Sequence, residues 1–230
     1  MATHTSAPAR ATGGPHPGVL GLVSLGLFVG GLIAMAVLSG GGVIPSPYGD
    51  TGTVAGFFAE HGFAVRVAAM LQLGSAIPLG IYTATVYARQ HRLGIRVPGP
   101  VIGLFGGTAA AILLAVSAIV AWTQSQGVVS ANPELTHALA FVSFAAGGFA
   151  HVLGLGLLVA GIAVPGLILR LVPAGFAWAG LVLAVLSELS FLSMVAEPLQ
   201  FLIPAGRFGS LIWLVIAGFL LPKTRHRGDR

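Results

Sequence analysis

Cysteine is absent from this 230-residue chain, and charge is nearly so: Asp, Glu, Lys and Arg together make up 7%. Without a thiol there are no disulfides, no thiolate metal sites and no thioredoxin-like redox chemistry. A soluble domain carries about a quarter charged residues, so this composition cannot build a water-facing surface. Enzyme signatures are missing as well. No HExxH zinc helix, no Walker or dinucleotide glycine loop and no GxSxG elbow occurs in the sequence. Ser75 stands in a Gly-Ser-Ala context, but the last apolar run has no histidine to activate it. The expectation is a protein without enzymatic activity and without a cofactor.

What the chain has in abundance is apolar length. Hydrophobic residues reach 56%, with 34 glycines and a mean hydropathy of +0.95. Six runs are at or near the length that crosses a roughly 30 Å hydrocarbon layer: 18–38, 63–88, 101–122, 135–164, 172–195 and 204–221. The fold class expected is all-α, a polytopic membrane protein with a six-transmembrane-helix bundle over residues 18–222. Residues 1–17 are small, polar and rich in Pro and Gly, which predicts a disordered tail, and 223–230 form a basic tail. The first run exceeds a usual signal-peptide h-region, which favours an uncleaved first helix over a cleavable leader.

The few charges are segregated. Arg10, then Arg89, Arg92 and Arg96, then Arg170, then Lys223, Arg225, Arg227 and Arg230 fall on one side of the predicted spans. Asp50, Glu60, Glu134 and Glu197 fall on the other. The positive-inside rule places both termini in the cytoplasm. A net charge of +5 therefore reads as an orientation signal, with the lipid bilayer as partner and no nucleic acid. Trp122, Trp178 and Tyr87 near span ends suit an aromatic belt, whereas Trp213 in mid-span suits packing.

Small residues recur at four-residue spacing: Gly26 and Gly30, Gly103 and Gly107, Ala146, Ala150 and Gly154, Gly175 and Ala179. Such stripes let helix backbones approach. They serve packing within one bundle or a homo- or hetero-oligomer through the Gly/Ala faces.

The charges inside the spans are the candidate site. At 1.5 Å per residue, Arg66 lies about 5 Å below the outer boundary and Glu188 about 24 Å along a helix entering from inside. Arg207 falls at similar depth, with His137 just above and His151 near the middle of the fourth span. Arg66, Glu188, Arg207, His137 and His151 thus form a candidate polar layer. Two readings stay open: an Arg–Glu staple between helices, or a wet outward-facing cavity. His151 has no second mid-span histidine to match it, which argues against haem and for a hydrogen-bonded core histidine. An inverted repeat is not apparent, since Pro78 in the second span has no counterpart in the fifth.

The stretch from Gly147-Gly148-Phe149-Ala150-His151 through Pro204-Ala205-Gly206-Arg207-Phe208, with GLGLLVAGIAVP, LRLVPAGFAWAGLVLAVL and PAGRFGSLIWLV inside it, resembles a broad family of bacterial six-helix membrane proteins catalogued as a domain of unknown function. The resemblance implies six helices over about residues 18–222 and a plasma-membrane location, and it supplies no activity. The expected role is a non-enzymatic structural or assembly partner. The alternative is a small-solute or proton-coupled transporter using the outer-leaflet Arg/Glu layer.

Overall fold

The computed structural model describes residues 14–222. Most of the N-terminal tail and all of the basic C-terminal tail expected from sequence lie outside the described residues. Those residues form an all-helical bundle in which six helical stretches are long and apolar enough to cross a membrane: Pro17–Leu38, Gly62–Arg92, Gly99–Gln124, Pro133–Ile168, Ala174–Met194 and Glu197–Leu220. That number agrees with the sequence reading and suggests a multi-pass membrane protein.

Helix α1 (Pro17–Leu38) begins with proline in its first turn, where a missing N–H costs nothing. It ends at Ser39, whose hydroxyl donates to the Met35 carbonyl at 2.6 Å, before Gly40 and Gly41 turn the chain at φ 66° and 95°. A short helix α2 (Thr51–Glu60), not expected from hydropathy, follows. Its N-cap is Asp50, which accepts the Thr53 amide at 3.0 Å. Helix α3 (Gly62–Arg92) is about 46 Å long at 1.5 Å per residue, so it outruns the hydrocarbon. Arg89, His91 and Arg92 complement the helix dipole in its last turn.

Helix α4 (Gly99–Gln124) and a single turn α5 (Gly127–Ser130) lead to α6 (Pro133–Ala145), capped by Asn132 on the Leu135 amide at 3.1 Å. The fourth span does not continue as one regular helix. A π-helical turn, Ala146–Ala150, holds Gly148 at φ −81°, ψ −113°, outside helical space, before α7 (His151–Ile168) resumes. Two adjacent glycines permit this break, and π-turns inside helices mark functional sites often. Helix α8 (Ala174–Leu189) runs into 3₁₀ turns at Ser190–Met194 and Glu197–Phe201, and α9 (Leu202–Leu220) completes the described chain.

In order, α1 packs on α3, α3 on α4, α4 on α7, α7 on α8 and α8 on α9, and α9 returns against α1 and α7. Helix α7 is central, with Leu155, Leu158, Val159 and Ile162 essentially without exposure beside Leu79, Tyr82, Leu114 and Leu214. Outward faces carry Leu22, Ile33, Ile77, Ile112, Val182 and Ile216, all exposed. Apolar outside as well as inside is what a lipid solvent requires. Trp213 is buried, stacked on Phe176 at 4.7 Å, with its indole N–H donating to the Phe176 carbonyl at 2.9 Å.

The small-residue stripes divide into two kinds. Gly103 and Gly106 on α4 meet Gly161 and Gly154 on α7, backbone against backbone, while Gly107 makes room for Thr83. Gly218 likewise faces Gly18. By contrast Gly26, Gly30 and Gly175 look into open space.

This division predicts unequal effects of adding one methyl group. A Cβ at Gly161 would sit 2.6 Å from both the Gly103 nitrogen and the Gly99 carbonyl oxygen, main-chain atoms that cannot yield. Gly161→Ala should cost about 1–3 kcal/mol, while Gly26→Ala should be neutral or gain up to about 1 kcal/mol in helix propensity. Thermal unfolding in detergent measures both, and equal effects would contradict the seam.

Candidate functional site: a polar cavity beside a broken helix

The break at Gly148 leaves the Gly147 carbonyl without its regular helical partner. Inside hydrocarbon such a group must find another donor. Arg207 supplies it: its Nη2 donates to the Gly147 oxygen, and its guanidinium carbon lies 5.2 Å from the Phe28 ring centroid. Helix α9 thus delivers a cation to the fourth span, with α1 offering an aromatic face.

Around this contact is a cavity of about 390 Å³, bounded by α1, the segment Ile44–Pro47, α3, α4, α6, the π-turn and α9. Its size falls within the range of small-molecule sites. A polar strip runs along it. Gln72 donates to the Ser117 hydroxyl at 3.2 Å, and Ser117 and Ser143 exchange hydroxyl and carbonyl bonds at 2.9 and 3.2 Å. Gln124 has no exposed surface. Its amide N–H donates to the Thr136 carbonyl at 2.9 Å, and its Oε1 finds no protein partner. Gln200 Nε2 and Arg207 Nε are also buried without one. Three residues on the wall of one cavity thus each carry a buried polar atom unmet among the described residues, which stands out because nearly all buried polar groups are paired.

The five residues singled out from sequence do not converge. Arg207 alone lines this cavity. Arg66 donates to the Ser125 carbonyl at 3.3 Å and borders a separate, apolar cleft with Met70, Leu73, Ile119 and Trp122. His137 fastens the segment after α1. Its Nε2 donates to the Pro47 carbonyl at 2.6 Å, which leaves Nδ1 to take the Thr51 hydroxyl at 2.7 Å. His151 is fully buried, its Nδ1 donating to the Ala110 carbonyl at 2.8 Å, with Nε2 unpartnered. Glu188 points at α7 beside Gly156, and its Oε1 is buried without a hydrogen bond.

The expected Arg–Glu staple is not formed. Among the described residues neither Arg66 nor Arg207 has a carboxylate partner, and both spend their bonds on main-chain carbonyls. For Arg66 the reason is packing, since α3 sits on α1 and α4, whereas α8 sits on α7 and α9. Helix α8 does touch α9, but Ser187 meets Gly206 there, while Glu188 turns to Gly156 and Arg207 to the Gly147 carbonyl. A similar depth in the bundle did not bring the side chains to one azimuth. Gln72, Ser117, Gln124, Ser143 and Gln200, which sequence reasoning passed over in favour of charges, make up the site instead. Their signal was available as uncharged polar residues interrupting apolar spans. Among the described residues no group of three or more His, Asp or Glu converges as a metal site would.

The stability of a Glu188 variant separates pairing from its absence. Breaking a buried pair from one side costs about 3–5 kcal/mol. With no arginine relying on Glu188, Glu188→Gln should shift unfolding free energy by less than about 1 kcal/mol, or stabilise by removing a desolvated charge. A loss in the 3–5 kcal/mol range in a detergent melt would restore the ion pair.

Compared with known proteins, the chain matches no family model, no curated protein and no solved structure, so the resemblance drawn from sequence gains nothing further.

Proposed function

We propose that the chain is a non-enzymatic multi-pass protein of a cytoplasmic membrane, with both termini inside, that binds a small solute in the Arg207 cavity. The observation that carries this reading is a guanidinium without a carboxylate partner among the described residues, set beside unmet amide groups in a membrane-length bundle. Ionisable groups in such surroundings either pair or line an aqueous space, and among the described residues the pairing is absent. With the termini inside, α1 runs outward, and Ile44–Pro47, which follow its C-terminal end, line the cavity. The site then lies toward the outer side, as a solute receptor or the outer half of a carrier requires. The break at Gly148 supports a carrier in particular, because discontinuous helices form the binding sites of many transporters.

An assembly role rests on a different observation. Gly26 and Gly30, four residues apart on α1, meet nothing within 4 Å, and such pairs admit a second helix closely. The two roles are compatible, since α1 turns Phe28 inward and these glycines outward.

Topology is tested by reporter fusions. Fusions after Lys223 and within 89–96 should report cytoplasmic, and those near Gly49 or Asn132 outside. An outside report at Lys223 would overturn the orientation. The cavity is tested by thiol chemistry, for which a chain without cysteine needs no background removed. Ser143→Cys should react with a water-soluble maleimide added from outside, and Ser24→Cys, buried against Ser75, should not. Protection of both would mean that the cavity is dry and the solute reading wrong.

A further inference from the structure

The cavity's chemistry is specific enough to name a class of ligand, provided the solute reading of the site holds. Its walls are of two sorts. Phe28, Ile44, Phe144 and Ile203 are apolar, and Arg207 is the one charged residue among those described around it. Arg207 Nε and Gln200 Nε2 are donors left over after the Gly147 bond is made. Gln124 Oε1 is an acceptor left over, on a side chain with no exposed surface whose nitrogen is already held by Thr136. Donors that include a full positive charge call for an anion, and the fork of a guanidinium matches a planar carboxylate. A single cation balances one negative charge, which disfavours inorganic phosphate. The apolar walls call for a hydrocarbon body, and the orphan acceptor calls for an O–H or N–H on that body.

We infer that the cavity takes a small organic monocarboxylate, its carboxylate on Arg207 and Gln200, and a hydroxyl or amine hydrogen on the Gln124 carbonyl oxygen. Water alone would satisfy the two amides but would leave the guanidinium without a counter-charge. Glu188 cannot serve, since its Oε1 lies against Gly156 of α7 and it is not among the residues lining the cavity. Discrimination follows from the same groups. A neutral amide of equal shape loses the charge-assisted bonds, and a carboxylate without the hydroxyl leaves Gln124 unmet, which a built polar site penalises.

Two measurements on the full chain in nanodiscs test this. The first needs no ligand. The Ser143→Cys variant is exposed to anionic and cationic methanethiosulfonates of similar size, each rate divided by that of the same reagent on a free thiol. The anionic reagent should be favoured, and Arg207→Gln should abolish the preference while Arg207→Lys, which keeps the charge and controls for folding, retains it. The second is calorimetric binding of 3-hydroxybutyrate, butyrate, 3-hydroxybutyramide and inorganic phosphate. The hydroxy acid should bind best, weakened about tenfold or more by Arg207→Gln and severalfold by Gln124→Leu. Butyrate should be weaker and insensitive to Gln124→Leu, and the amide and phosphate should not bind.

The outcomes separate the two levels of the argument. If neither reagent reaches Ser143→Cys, the wet cavity itself fails. If both reach it equally, or if the amide or phosphate binds as well as the acid, the cavity stands and the monocarboxylate assignment falls. The assignment also falls if no carboxylate of the series binds more tightly than about 10 mM. It falls again if native mass spectrometry finds a phospholipid retained by the parent and lost from Arg207→Gln, which would make a lipid phosphodiester the anion.

Discussion

A peptide carbonyl released inside hydrocarbon has nowhere to go but to another protein group, and that constraint organises this bundle. The break at Gly148 frees the Gly147 oxygen, and Arg207 takes it. In answering the break, α9 brings a cation into the interior, and that cation gives the cavity its chemistry. One interaction therefore links a local irregularity in the fourth span to the character of the whole site. Without two adjacent glycines the helix would continue, the carbonyl would bond within it, and the arginine would have no reason to be inside.

Sequence revealed one coordinate of this arrangement and concealed the other. Hydropathy and the loop charges located five spans to within four residues at each end, and the sixth to within seven at its start, because a lipid solvent imposes length and composition directly. Depth followed from the rise per residue, so Arg66, Glu188 and Arg207 were read as one layer. Rotation about each helix depends on which neighbours it packs against, and nothing in the spacing of charges reports that. Glu188 turned to Gly156 and Arg66 to Ser125, each toward its own partner helix. Helix α2 was illegible for a related reason. Ten residues with only three buried carry no hydropathy signal of a span, and only the Asp50 cap marks its start.

The glycines show how a count becomes an architecture. On α4 and α7 they are a seam in which main chains touch, and no side chain larger than hydrogen fits. Four-residue spacing announced that close packing was available, but the pairs used were Gly103 and Gly106 with Gly154 and Gly161. A three-residue step between Gly103 and Gly106 keeps both on the same face as surely as a four-residue step does. In lipid, where apolar burial gives no preference between protein and solvent, such contact supplies much of the cohesion.

The bundle is closed by its ends: Gly218, near the end of the last helix, rests on Gly18, at the start of the first, and Tyr82 donates to the Leu214 carbonyl at 2.7 Å across that junction. Membrane chains are inserted in order of synthesis, so α1 enters the bilayer about two hundred residues before its final neighbour exists. Until then one flank of α1, and the hydroxyl of Tyr82 behind it, can be covered only by lipid or by another protein. Among the described helices, the contact between α1 and α9 is thus also the last to form. A chain released before α9 would have its earlier spans in place and its circuit open, with that flank of α1 bare to lipid.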